Sequence, residues 1–434
     1  MKRPPSTQLL PILIGGALAS AGWMQGLSWK NGDSSADKVD SVEIVALQQQ
    51  IDQLTRENEA LRSLAQGGGE FSVPPELVAR VESQLGLSFV STPVVHRIAG
   101  EELRDRVKAS LEARYGEGSL DDRQKAYQLI GWLGAEDHLT EQWAALRSVG
   151  ARAWFDEVSA EGWVTDRFQI ANIPDQASLL RVLARILLEQ HFPMAKGVLF
   201  DEEVRARDAL HTGVAAAVES KFFQDHARAI GFMSLKEDTE ANQLLLSLPP
   251  FIQGLSSFLG VEGKTYADQL LSKNRETLIE SLRKPPQQTA DVMFLFDRAT
   301  IDRRVKLPDT PGEMVFEDAG GSLGLRLWLE PLGDVQAARD LSEAWVHDAW
   351  RLFATDDRTH HLVWCIELRD EISTDQALQA FCSLGAAIAD LPDDLLPGHA
   401  IKTSQGTWLR IERTSKTALR WTHVQSEEVM RAIR

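Results

Sequence analysis

Arg181 and Arg185 are the residues whose type and spacing most invite chemistry. They lie four apart in QASLLRVLARILLEQHF (residues 176–192), so on a helix they share one face. Two neighbouring guanidinium groups can grip a carboxylate or a phosphate through charge-assisted hydrogen bonds. They can equally brace the fold against carboxylates such as Glu203 or Asp208, and bracing is the commoner use. His191, His211 and His226 are nearby in sequence. His191 precedes Phe192-Pro193 at a helix end, where an imidazole usually caps or packs. Cys365 and Cys382 are the only cysteines, too few for a disulfide framework or a cysteine zinc site. Free buried thiols and a single bridge between them both remain open. Cys365 sits in an apolar run, which disfavours a thiolate nucleophile. The chain has no Walker loop and no dinucleotide fingerprint.

The elements that must position the two arginines are legible. Leu179, Leu180, Leu183, Ile186, Leu187 and Gln190 recur at helical spacing, opposite the arginine face. DEEVRARDALHTGVAAAVESKFF (residues 201–223) reads as a second helix, acidic at its start and closing on Lys221, as the macrodipole prefers. Helices are also expected over residues 76–87 and 100–116, and an extended piece over 89–98. Further on, residues 321–329 and 360–368 read as strands. Ser373 and Gln376 suggest a capping box for the helix that follows. TWLRIER and ALRWTHV form a closing hairpin. The expected fold class is therefore α+β.

The first 70 residues have a different character. Residues 1–29 are expected to be a signal-anchor: Lys2 and Arg3 precede an apolar run over residues 9–27, about one bilayer of helix. The basic flank predicts an N-terminus inside and the rest outside. A cleaved signal peptide, with Ala19-Ser20-Ala21 as its site, is the competing expectation. Residues 30–40 form a polar spacer. Across residues 41–66, Ile44, Ile51, Asn58 and Ala65 take position a of a heptad, and Leu47, Leu54 and Leu61 take d. Ile at a, Leu at d and one Asn at a specify a parallel dimer. Residues 67–70 are a glycine linker to a globular region over 71–434, with an N-terminal part over 71–223 and a C-terminal α+β part over 224–434. The net charge of −17 argues against a nucleic-acid partner, which would demand a basic footprint.

The helix pair resembles the active-site helices of a bacterial and archaeal family of zincin-type zinc metallopeptidases, whose members read HELTHALQDQHF. Matching Glu189-Gln190-His191-Phe192 to that string puts the family's HExxH on Arg181 to Arg185. The first histidine is then Arg181, the glutamate base Val182 and the second histidine Arg185. A Glu-Gly that carries the third ligand falls on Thr212-Gly213. The likeness extends loosely over residues 73–424. It includes LGLSFVSTPVVHRIAGEELRDRV, the hairpin ARAWFDEVSAEGWV, PPFIQGLSSF, and RKPPQQTADVMF, in which Ala290 and Phe294 replace a Glu and a His. Trp345-Val346-His347-Asp348 loosely matches a Gly-Trp-Gly-Gly-Asp loop.

The resemblance implies a scaffold without its chemistry. No metal and no cofactor is expected, because guanidinium groups donate hydrogen bonds and cannot ligate zinc. His211 lies beside the lost ligand position, but one step along a helix turns it by about 100°. Arg181, Arg185 and His211 remain as possible contacts for an anion or peptide. The expected protein is a membrane-anchored, extracytoplasmic pseudo-metallopeptidase that binds a peptide or protein. The alternatives are a hydrolase with a relocated site and a purely structural envelope protein.

Overall fold

The computed structural model describes residues 69–116, 118–194, 200–227, 239–295, 305–356 and 359–433. The expected anchor, spacer and coiled coil all lie outside the described residues. Among the described residues, no helix is long and apolar enough to cross a membrane.

The chain opens with α1 (Pro75–Leu85), β1 (Val95–Ile98), α2 (Gly100–Tyr115), α3 (Ser119–Ile130) and α4 (Leu139–Ser148). A hairpin of β2 (Ala153–Asp156) and β3 (Glu161–Thr165) follows. β3 pairs parallel with β1 and antiparallel with β2, making a three-stranded sheet. Two long helices come next, α5 (Ile173–His191) and α6 (Asp201–Asp225). α5 starts where Pro174 fixes the first turn, and Asp175 accepts a hydrogen bond from the Gln169 amide at 2.7 Å. All five expected aliphatic residues from Leu179 to Leu187 are buried. Gln190 serves the N-terminal segment, accepting from Val90 N at 2.8 Å.

The middle of the chain is helical: α7 (Thr239–Ser247), α8 (Pro250–Ser257), a π turn (Phe258–Glu262), α9 (Gly263–Lys273), α10 (Arg275–Arg283) and α11 (Thr289–Phe294). α9 crosses α6 so closely that a Cβ on Gly213 would sit 2.0 Å from the Gly263 carbonyl oxygen. Glycine is needed on both helices because their backbones touch.

The rest is β4 (Glu313–Asp318), α12 (Gly321–Leu329), α13 (Val335–Ala344), β5 (Trp345–Asp356), β6 (Thr359–Leu368), α14 (Glu371–Ala389), β7 (Ile401–Lys402), β8 (Trp408–Arg413), β9 (Ala418–Val424) and α15 (Glu427–Ala432). The strands form an antiparallel sheet in the order β4-β5-β6-β9-β8-β7. The last long strand is thus an inner one. The fold is α+β, and both the 360–368 strand and the closing hairpin lie where the sequence put them.

Three local expectations are corrected. Residues 321–329 are a helix: their leucines alternate as in a strand, but Leu323, Leu325, Leu327, Trp328 and Leu329 are all buried. A short helix buried on every side loses the polar face that would have betrayed its period. Residues 345–348 open a strand instead of forming a loop, with Asp348 opposite Ile366. The helix after them begins earlier than the capping box implied, because Asp370 accepts from Ser373 N at 2.8 Å.

Two large apolar cores result, with a small third one around Val363, Cys365 and Met430. One gathers Trp328, Trp350, Trp364, Trp421 and Phe381 beneath the six-stranded sheet. The other joins the three-stranded sheet to α1, α5, α6, α9 and α10. Both draw on residues from either side of position 223. The halves are stitched where Leu129 O accepts from Trp421 Nε1 at 3.2 Å and pairs with His423 Nδ1 at 2.8 Å.

Candidate functional site

The arginine face of α5 does not look into solvent. It packs on α6, whose first turn is anchored by more than dipole attraction. Asp201 is buried, pairs with Arg123 and accepts from the Tyr127 hydroxyl at 2.8 Å. Glu202 is buried too, accepting from Thr289 N at 2.7 Å, and burial pushes its carboxyl up to about 8.

Arg185 is the centre of the contact and only 8% exposed. Its Nη1 donates to Asp208 Oδ1 at 2.7 Å and to Thr212 Oγ1. Its Nη2 stands 3.8 Å from Glu157 of the β2–β3 hairpin, and its guanidinium lies over the Phe155 ring. Arg114 and Arg147 also reach Glu157. Burial alone would raise the Asp208 carboxyl. Arg185, Arg114 and Arg147 outweigh it and hold the group below the usual carboxylate range. One turn earlier on α5, Arg181 pairs with Glu219 at 3.4 Å. Burial pushes Glu219 up to about 6 in spite of that arginine.

Of the candidate residues, Arg185 and Thr212 are brought into direct contact. Val182 is buried under the hairpin, where a Cβ on Gly162 would meet it at 2.7 Å. Arg181 lies beside the pair with a carboxylate of its own. His211 turns away from Thr212, as helix geometry requires, and lines a separate groove. His191 Nε2 pairs with the Ser88 carbonyl at 2.7 Å, and His226 Nδ1 with that of Phe222 at 2.9 Å. Among the described residues no three His, Cys, Asp or Glu side chains are grouped to hold a metal ion. The four positions that the resemblance assigns to the metal ligands and the base do not fit zinc: a guanidinium bonded to a carboxylate and a hydroxyl offers no lone pair to a cation.

Other candidates fall elsewhere. Ala290 and Phe294 are buried in α11. Asp348 is saturated, accepting from Gly320 N, Gly321 N, Trp345 Nε1 and Trp364 Nε1 at 2.7–3.0 Å. Cys365 and Cys382 are free and buried, and burial pushes the Cys365 thiol up to about 12.

Sequence reasoning passed over one motif. Gly320-Gly321-Ser322-Leu323-Gly324 has the G-x-S-x-G spacing of a serine nucleophile, and it sits between β4 and α12. Ser322 is nonetheless fully buried and donates to the Ser342 carbonyl at 2.6 Å. It has no histidine to activate it there, so the spacing serves packing. Glu157 and Glu219 were also missed as partners of the arginines. Glu219 could have been found, since it falls seven residues after Thr212 on the same helical face.

Compared with family models, curated proteins and solved structures, the chain finds no significant match.

Proposed function

We propose that this chain is a non-catalytic binding or scaffolding module on a degenerate zincin-like scaffold, tethered to a membrane and facing outward. The observation that carries it is the Arg185–Thr212–Asp208 contact. The two helices that the resemblance pairs are packed together. Two of the positions it assigns to metal ligands, far apart in sequence, meet in one buried hydrogen bond. A cationic guanidinium fills the place of the cation and bridges the same two helices.

In such a centre the carboxylates of Asp208, Glu157 and Glu219 are committed to the arginines, so its role is to hold shape. What persists is a rigid pair of helices beside a hairpin, a platform on which a peptide or protein can be held. The purified protein is expected to carry no stoichiometric zinc by elemental analysis. A chelator should leave its melting temperature unchanged. Tightly bound metal, or a chelator-induced fall in melting temperature, would overturn the proposal.

A further inference from the structure

The groove beside His211 has properties that the arginine centre lacks. It encloses about 680 Å³, within the range of small-molecule sites. In a protein of net charge −17, its lining among the described residues includes Arg207, Arg283 and Lys284 and no acidic residue, with Glu203 and Glu280 pairing Arg207 and Lys284 from outside it. Two polar groups in it are buried and unsatisfied. His211 is 3% exposed, and its Nδ1 has no hydrogen-bond partner among the described residues. One turn earlier, Arg207 donates from Nη2 to Glu203 and, at 3.3 Å, to Gln287 Oε1, while its buried Nε has no partner. Buried atoms elsewhere, such as Arg106 Nε and His361 Nδ1, also lack partners, but here two of them on one helical face border one groove, where a single acceptor could pair with both. The opposite side is apolar: Phe192, Pro193 and Met194 after α5, Leu282 at the end of α10, and Pro285 beyond it.

We infer that this groove binds a carboxylate carrying an apolar group, the anion held by Arg207, His211 and Arg283 and the apolar part by Phe192, Met194 and Leu282. The inference rests on the binding-module proposal and names its ligand class. Neutral imidazole suffices for the role, because its Nδ1 can donate without carrying a charge. Burial, with Arg185 beside it, lowers the His211 pKa to about 3, so the ring is neutral at physiological pH. Inorganic phosphate would satisfy the donors and leave the apolar wall bare. The same chemistry has two sources, a free organic acid and the C-terminal residue of a peptide.

Titration calorimetry on the full chain in detergent separates them, with 3-phenylpropanoate, acetyl-Ala-Phe, its C-terminal amide and inorganic phosphate as probes. Saturable binding of 3-phenylpropanoate or acetyl-Ala-Phe is expected, at least about tenfold tighter than the amide or phosphate, since a hydrogen bond to a charged group is at stake. The tighter of the two identifies the source. Arg283→Glu changes an exposed residue and keeps the fold. His211→Leu replaces an unsatisfied polar group with an apolar one. Each should weaken binding at least about tenfold, while melting curves report folding. The inference is overturned if neither carboxylate saturates, if the amide or phosphate binds as well, or if both folded variants bind as tightly as the parent. Elemental analysis of the same sample keeps the two proposals apart. A metal-free protein that binds no carboxylate sinks only this one, and bound zinc sinks the other whatever the titration shows.

Discussion

Arg185 is buried with its counter-charges, and that makes it expensive to remove. Arg185→Met would leave Asp208 in the core without its closest partner. Breaking one side of a buried pair typically costs about 3–5 kcal/mol. Asp208 has a depressed pKa in the folded protein, so its contribution is present above the ordinary carboxylate range and lost as pH falls through the folded value. The cost of Arg185→Met, measured by urea denaturation, should therefore be largest near neutral pH and shrink as pH falls below about 4. Adding Asp208→Leu should recover much of it, and a double variant no more stable than Arg185→Met alone would show that the pair is not the brace. Spacing alone made Asp208 a candidate partner. It did not separate Asp208 from Glu203, which is held by Arg207 instead. Glu157 was illegible because the hairpin that carries it meets α5 only in three dimensions.

At the scale of elements, the sequence was clearest where one face of a helix or strand is exposed. α1 and α2 show their period because water fixes one side of each, whereas α5 and α6 are buried almost all round and were legible from their length, aliphatic spacing and charged ends. α12 is buried all round, so its leucines satisfied a strand pattern equally well. The α6–α9 crossing was also hidden, since a glycine in a helix announces no partner. It yields a sharp test. Gly213→Ala would gain about 1 kcal/mol in helix propensity. Its methyl group would meet the Gly263 carbonyl, and overpacking of that kind costs about 1–3 kcal/mol. A lower melting temperature is expected. Gly260→Ala meets nothing within 4 Å and should leave it unchanged or raise it. Equal tolerance at both positions would mean that the two helices do not touch there.

For the whole molecule, the proposed anchor predicts where the module works. The apolar run over residues 9–27 carries Lys2 and Arg3 on its N-terminal side and Lys30 just beyond its other end, and its length alone should make the tagged full chain sediment with membranes. Its globular part should be open to protease added outside. A soluble mature form beginning near Gly22 would show a cleaved signal peptide instead. Overall class was legible from composition and period, whereas the strand order was not, because strands that neighbour in sequence need not pair. β9 enters between β6 and β8, and its Trp421 and His423 reach back to Leu129 in α3. The final strand is therefore a keystone of the large sheet, and a chain delivered from its N-terminus cannot close that sheet until almost all of it has emerged. Until then β6 presents an open edge, and such edges recruit other chains. Timing thus enters the folding of this protein: β4, β5 and β6 can pair as they appear, but the large sheet joins into one only when β9 arrives. Any shortening that removes β9 should produce aggregates instead of a smaller folded protein.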